Sequence, residues 1–165
     1  MSIYTGKPYN AMTIKPDGSG QIAGWQAEAA FAHELLARNI PFSYVGPLKG
    51  HYDFVVNGKK DVTIDVKAKK RNVPPCSTQE GHVTLDQKDY KVQGYVFASV
   101  TNDDVSFMGW MWKSHFWDKA RVVYKGQDTG LFIERADAGK LEYARMAPMD
   151  ALWGGLKNVT ALDSH

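Results

Sequence analysis

One cysteine, Cys76, stands among 165 residues. That excludes a disulfide framework and a zinc centre built on several thiolates, and a lone thiol suits a reducing compartment. No run approaches the ~18 consecutive apolar residues of a membrane span. The first residues, Met1-Ser-Ile-Tyr-Thr-Gly-Lys, lack the apolar stretch of a signal peptide. A cytoplasmic protein without a membrane partner is therefore expected. A surplus of one charge is missing too: 20 Lys and Arg face 18 Asp and Glu, a net +2. This excludes a histone-like polycation, and any nucleic-acid binding has to come from a local basic patch. Of the five histidines (His33, His51, His82, His115, His165), none stands four residues from another, so no helical zinc pair exists. A G-x-S-x-G elbow, a phosphate-cradling glycine loop and a Cys–His signature are all absent.

What is present is globular: 44% hydrophobic and 23% charged residues exclude a disordered or coiled-coil chain. The length suits one domain that buries roughly two thirds of its unfolded surface. No repeat, low-complexity tract or linker divides it, so a single mixed α/β domain is expected over 1–165, with an irregular arm at 1–21.

The periodicity of Ala27, Phe31 and Leu35 predicts a helix over 22–39. It ends before Ile40-Pro41, because a residue ahead of proline avoids the α region. Strands are predicted at Ser43–Val45, His51–Val56, Asp61–Lys69, Gly94–Val100, Val105–Met111, Leu131–Ile133 and Leu141–Tyr143. The strand 94–100 is continuously apolar, as if buried on both faces. Short helices are predicted at 86–92, 113–120 (with Trp117 inward) and 147–156. Residues 70–82 read as a basic, proline-rich loop. Trp110 and Trp112 share a strand face, where core packing explains them better than base stacking.

The stretch from His51 to Lys67 is a hairpin signature around Asn57-Gly58. Alternation puts Val62, Ile64 and Val66 on one face and Thr63, Asp65 and Lys67 on the other. Phe54 and Val56 share a face, opposite Asp53. If both apolar sets line one core, even-numbered residues pair with even-numbered ones, and Asp53 joins Asp65 and Lys67. That register needs an odd connection, for instance Asn57–Lys59, since a two-residue turn would throw Asp53 to the other side. The cluster is either a solvated face with a cross-strand Asp–Lys pair or a metal site, in which two carboxylates offer hard oxygen ligands to Mg²⁺. On the preceding helix, Glu28 and Glu34 flank the apolar stripe. Glu34 has Arg38 at i+4, a surface pair, whereas Glu28 faces Ala32, which makes Glu28 the better candidate for a third acid.

The set Gly24-Trp-Gln-Ala-Glu28, then Asp53, then Asp65-Val66-Lys67 resembles the PD-(D/E)XK nuclease superfamily: a helix acid, a strand Asp, and (D/E)-X-K on the next strand. The matching stretch is roughly 22–70, and strands 94–111 follow in compatible order. Tyr52 replaces the motif's proline. Archaeal-type Holliday-junction resolvases and many phage and restriction nucleases carry this layout. The resemblance implies a restriction-endonuclease-like α/β fold, a central mixed β-sheet flanked by helices, with its motif core at about 22–111. It implies a Mg²⁺- or Mn²⁺-dependent DNA endonuclease leaving 5′-phosphate and 3′-hydroxyl ends. Asp53, Asp65 and the Val66 carbonyl would hold metal, Glu28 would join directly or through water, and Lys67 would orient the attacking water. The substrate would be double-stranded or branched DNA, and junction-resolving and site-specific members are often homodimers. A bacterial or phage-infected cell would be the setting. The alternative is a nuclease-like module that binds nucleic acid or protein without cutting.

Lys69 shares the face of Lys67 and, with Lys70 and Arg71, offers salt-sensitive phosphate contacts; a solubilising charge run explains Lys70 and Arg71 equally well. Gln87 and Lys88 stand where some of these nucleases place a residue near the metal, although a plain helix start also accounts for them. His51 shares the face of Asp53. The +2 is thus a sum over opposed patches: acids gathered in one site, and five basic residues besides Lys67 between Lys59 and Arg71.

Overall fold

The computed structural model describes residues 19–46, 52–57 and 61–157. Most of the expected N-terminal arm, His51 and the turn residues 58–60 lie outside them. Among the described residues a helix, α1 (Ser19–Ala37), comes first. It buries Ala23, Ala27, Phe31 and Leu35 at four-residue steps, the spacing of one helix face. Its end is set by Asn39, at φ 57°. The Ile40 amide donates to the Leu35 carbonyl at 2.9 Å and the Asn39 amide to the Leu36 carbonyl at 3.0 Å. That is the paired C-terminal closure in which a left-handed residue satisfies the last carbonyls.

Eight strands follow among the described residues: β1 (Phe42–Tyr44), β2 (Phe54–Val56), β3 (Val62–Arg71), β4 (Glu80–Thr84), β5 (Gly94–Thr101), β6 (Asp104–Trp112), β7 (Arg121–Val123) and β8 (Ala138–Glu142). Two further helices are α2 (Lys113–Lys119) and α3 (Met149–Lys157). Five strands form a mixed sheet in the order β1-β2-β3-β5-β6. Its β3–β5 pair is parallel and the rest are antiparallel. A separate three-stranded sheet runs β4-β8-β7. The fold is mixed α/β, as expected. No helix among the described residues is long and apolar enough to cross a membrane.

The two faces of the five-stranded sheet carry different cores. On one, Val62, Ile64 and Val66 join Val96, Ala98, Trp110 and Trp112 under α1 and α3. There Phe31 is fully buried, edge-on to Phe54 with centroids 5.0 Å apart, and Trp110 and Trp112 meet at 5.3 Å. The other face packs Tyr95 and Phe97 against Phe116 and the three-stranded sheet through Val83 and Leu141. Both cores claim side chains of β5, so that strand is buried almost throughout.

Several elements differ from the sequence expectation. The loop 70–82 shrinks to 72–79, because β3 runs on to Arg71 and β4 starts at Glu80. Gly81 hides β4 from propensity, yet a Cβ there would stand 2.4 Å from the Phe97 ring. The helix expected at 86–92 is one 3-10 turn, Leu85–Gln87. Leu131–Ile133 is an exposed loop with a single bridge, Asp128 to Ile133. Tyr143 leaves β8 for a 3-10 turn. On α2 Trp117 packs inward as expected, half-buried with its Nε1 donating to the Tyr95 hydroxyl at 3.1 Å, but the fully buried ring is Phe116.

Candidate active site

The pairing of β2 with β3 sets the site. Phe54 opposes Ile64, Val55 opposes Thr63 and Val56 opposes Val62, so even residues pair with even ones as the hydrophobic pattern demands. The connection is odd, but it spans residues 57–61 rather than three residues. Asp53, just before β2, therefore falls opposite Asp65. Its backbone is pinned from both sides. The Asp53 amide donates to the Ile64 carbonyl at 3.1 Å, and the Asp53 carbonyl accepts from the Val45 amide at 2.7 Å. Gly46 also donates to that carbonyl, at 3.3 Å. Gly46 takes φ 74°, and a Cβ there would meet the Tyr44 ring at 3.0 Å, so only glycine suits this corner.

Asp53 and Asp65 are both buried, 9% and 8% exposed. The Asp53 Oδ2 accepts from the Val66 amide at 2.9 Å. The N–H and C=O of one strand residue leave on the same side, so the Val66 carbonyl also faces the β2 edge. The Lys67 Nζ lies 2.6 Å from the Asp65 Oδ2 and also donates to the Gln87 Oε1. Glu28 reaches this edge from α1, where the Tyr44 hydroxyl donates to its Oε1 at 2.6 Å. Glu34 pairs with Arg38 on the surface, as expected.

Burial raises the carboxyl of Glu28 to about 7; the Asp65 charge adds to this, while the Tyr44 hydrogen bond and the Lys67 charge oppose it. Asp53 is pushed well above the usual carboxylate range, first by burial and then by the charges of Asp65 and Glu28; a side-chain hydrogen bond with Asp65 adds to the rise. Acids crowded in this way hold protons unless a cation replaces them. Among the described residues no three His, Cys, Asp or Glu side chains converge closely enough to hold a metal ion. The donors on hand are two carboxylates and a peptide carbonyl, all hard oxygens. They fit Mg²⁺, which keeps several waters and takes one or two carboxylates.

The structure thus gathers Glu28, Asp53, Asp65 and Lys67 about one edge, with Gln87 beside Lys67. Lys69 follows on the same face, since Lys67 opposes Phe97 and Lys69 opposes Ser99 in the β3–β5 register. Lys70, on the opposite face, is exposed. Arg71 is held in place: its Nη2 donates to the Glu80 carbonyl at 2.7 Å and to the Tyr143 hydroxyl at 3.1 Å. The Lys88 ammonium lies over the Trp117 ring, 5.2 Å from its centroid. Sequence reasoning missed Tyr44, because its bond to Glu28 spans 16 positions and leaves no local spacing to read.

No protein-family model matches the sequence, and no curated protein does. Among solved structures the chain is similar to Hjc of Archaeoglobus fulgidus, described as a Holliday junction resolvase from an archaeal hyperthermophile. The identity is 11% and the TM-score 0.47, over 79% of this chain and 95% of that one.

Proposed function

We propose that this protein is a metal-dependent nuclease that hydrolyses phosphodiester bonds in DNA. The observation that carries the reading is the buried Asp53–Asp65 pair with Lys67 bonded to Asp65. Buried like charges on neighbouring strands cost stability, and a cation site is a use that repays them. Asp53, Asp65 and the Val66 carbonyl would hold Mg²⁺ or Mn²⁺, with Glu28 joining through water. When bound, the ion would lower the pKa of a coordinated water and neutralise charge on the phosphoryl group.

The chain's own residues divide the remaining work. Lys67, fixed between Asp65 and Gln87, orients the attacking water. Glu28, its carboxyl at about 7 and its orientation set by Tyr44, accepts a proton near neutral pH. The water oxygen bonds to phosphorus as the bond to the 3′ oxygen breaks, and that oxygen takes up a proton. The ends left are 5′-phosphate and 3′-hydroxyl. On resemblance alone the reading extends to double-stranded or branched DNA, an endonuclease and a homodimer; length and composition extend it to a single domain and a cytoplasmic setting.

The alternative reading is a nuclease-like module that binds nucleic acid or protein without cutting. One assay separates them. Plasmid, single-stranded and branched DNA are incubated with Mg²⁺ or Mn²⁺, beside an Asp65→Ala control. Metal-dependent cutting that the control lacks supports the nuclease; binding with no cutting under any metal sinks it in favour of the module.

A further inference from the structure

Beyond Lys67, the same face of β3 opens into a groove of about 1190 Å³. It is lined by Lys69 and Arg71 at the end of β3, by His82 of β4 and Lys140 of β8, and by the loop carrying Leu131, Phe132, Ile133 and Arg135. Along a strand this places Lys69 about 7 Å and Arg71 about 13 Å from Lys67.

Two features of this groove are unexplained by packing. The first is charge. Lys69, Arg71, Lys125, Arg135 and Lys140 all line it. Its two carboxylates are already engaged, Glu80 with Arg121 at 2.7 Å and Glu134 with Lys140 at 3.0 Å. Among the described residues neither Lys69 nor Arg135 has an ion-pair partner. Partial burial lowers the Lys69 ammonium, and Lys140, Arg71 and Arg135 add to the shift by repulsion. A polyanion relieves such repulsion.

The second feature is apolar. Leu131 is 92% exposed, and Phe132 and Ile133 are each 53% exposed, although the loop bearing them is tightly built. Thr129 brackets Phe132, its hydroxyl donating to the Phe132 carbonyl at 2.9 Å and accepting from the Phe132 amide at 3.2 Å. Glu134 and Gln127 close the loop base through a 2.9 Å backbone bond. The Lys140 ammonium stands over the Phe132 ring, 5.0 Å from its centroid, and braces it. This is a fixed aromatic platform beside a cationic wall.

We propose that this groove grips a single-stranded stretch of nucleic acid, its phosphates against Lys69 and Arg135 and its bases stacked on Phe132 and Leu131. A duplex hides its base faces, whereas unpaired bases offer them to aromatic rings. His82 lines the groove among cations, and burial followed by the charges of Lys69 and Lys140 lowers its imidazole to about 4. It is therefore neutral near pH 7 and available to a base edge. The proposal rests on the nuclease reading only in naming the strand as part of a substrate.

The test uses the full chain in chelator, so that no cutting occurs. Anisotropy is measured with a labelled oligodeoxythymidylate, a duplex of equal length, an oligouridylate, and inorganic polyphosphate as competitor. The single strand is expected to bind more tightly than the duplex. Phe132→Ala should weaken it about tenfold while Phe132→Trp restores it, in line with base–aromatic stacking. Arg135→Ala should reduce the slope of log affinity against log salt by about 0.7, the single-strand value for one phosphate contact. Preference for oligouridylate over oligodeoxythymidylate assigns the strand to RNA, and the reverse assigns it to DNA; either supports the groove. Equal binding of duplex and single strand with no effect of Phe132→Ala overturns the proposal. So does polyphosphate matching the oligonucleotide. Absence of cutting with metal restored would instead count against the nuclease reading and leave the binding result intact.

Discussion

The Val66 amide donates to the Asp53 carboxylate at 2.9 Å, so a side chain, not a neighbouring strand, closes that rung beside β3. The carboxylate held there is buried against Asp65, and its protonation makes the site's state measurable.

Replacing Asp53 by Asn keeps an acceptor for the Val66 amide and removes the charge. The folded pKa of Asp53 lies above the unfolded value of about 3.9. The native state therefore keeps its proton while the unfolded chain ionises, and stability falls as pH rises from there through the raised pKa. In chelator at mildly alkaline pH, Asp53→Asn should thus melt at a higher temperature than the parent, each kcal/mol gained raising the midpoint by about 2–4 °C. Below about pH 4 the gain should vanish, since both states then hold the proton. Cutting should drop about a thousandfold. A variant melting lower than the parent at alkaline pH would refute the crowding of charge at this site.

Divalent cation should do what Asp53→Asn does, and reversibly. Mg²⁺ or Mn²⁺ at a hundredfold excess over its dissociation constant should stabilise the protein by about 2.7 kcal/mol, and chelator should undo it. Calorimetric melts with and without cation provide the readout. Asp65→Asn should lose the response; a response of equal size in that variant would place the cation elsewhere.

Tyr44 lowers the Glu28 carboxyl through its hydrogen bond. Tyr44→Phe should raise that group further from about 7. The acid limb of the pH–rate profile should then move to higher pH, with the plateau rate little changed. A profile that stays in place while the rate falls would make Tyr44 a purely structural support.

His82 offers a spectroscopic handle on the groove. Its imidazole titrates at about 4 in the free protein, through burial and the nearby Lys69 and Lys140 charges. An unfolded histidine titrates near 6.5, so this residue costs stability as pH falls from about 6.5 towards 4. An oligonucleotide in the groove brings negative charge, which should raise the value. Proton NMR of the His82 ring resonances, with and without oligodeoxythymidylate, measures it; no upward movement on saturation would put the phosphates elsewhere.

The three-stranded sheet is held against α2 by close approach. A Cβ at Gly139 would meet the Trp117 ring at 2.5 Å, so Gly139→Ala should destabilise the protein by about 1–3 kcal/mol through overpacking. Denaturant midpoints measure it, and an unchanged midpoint would mean that the Trp117 ring shifts freely.

The first half of the chain was the legible half. Alternation in Val62–Lys67 and the apolar pair Phe54 and Val56 forced the parity that brings Asp53 to Asp65, because a one-residue slip would expose the whole apolar set. Glu28 was separable from Glu34 because Arg38 accounts for the latter. Of the second sheet only the end of β8, at Leu141 and Glu142, was legible. β4 and β8 carry Gly81 and Gly139, which propensity counts against strands, while the structure uses them to admit Phe97 and Trp117. Leu131–Ile133 reads as a strand by composition, but its backbone bonds are local to the loop, and nothing in the sequence marks an apolar triplet as exposed.

Because Lys67, Lys69 and Arg71 stand on alternate positions of one continuous strand, their separation is set by the polypeptide's own pitch. β3 is in this sense a ruler, its zero at the carboxylates and its far mark in the cationic groove. Such a ruler tolerates lengthening only in steps of two: one inserted residue between Lys67 and Arg71 would turn its far marks to the opposite face, leaving the zero where it is.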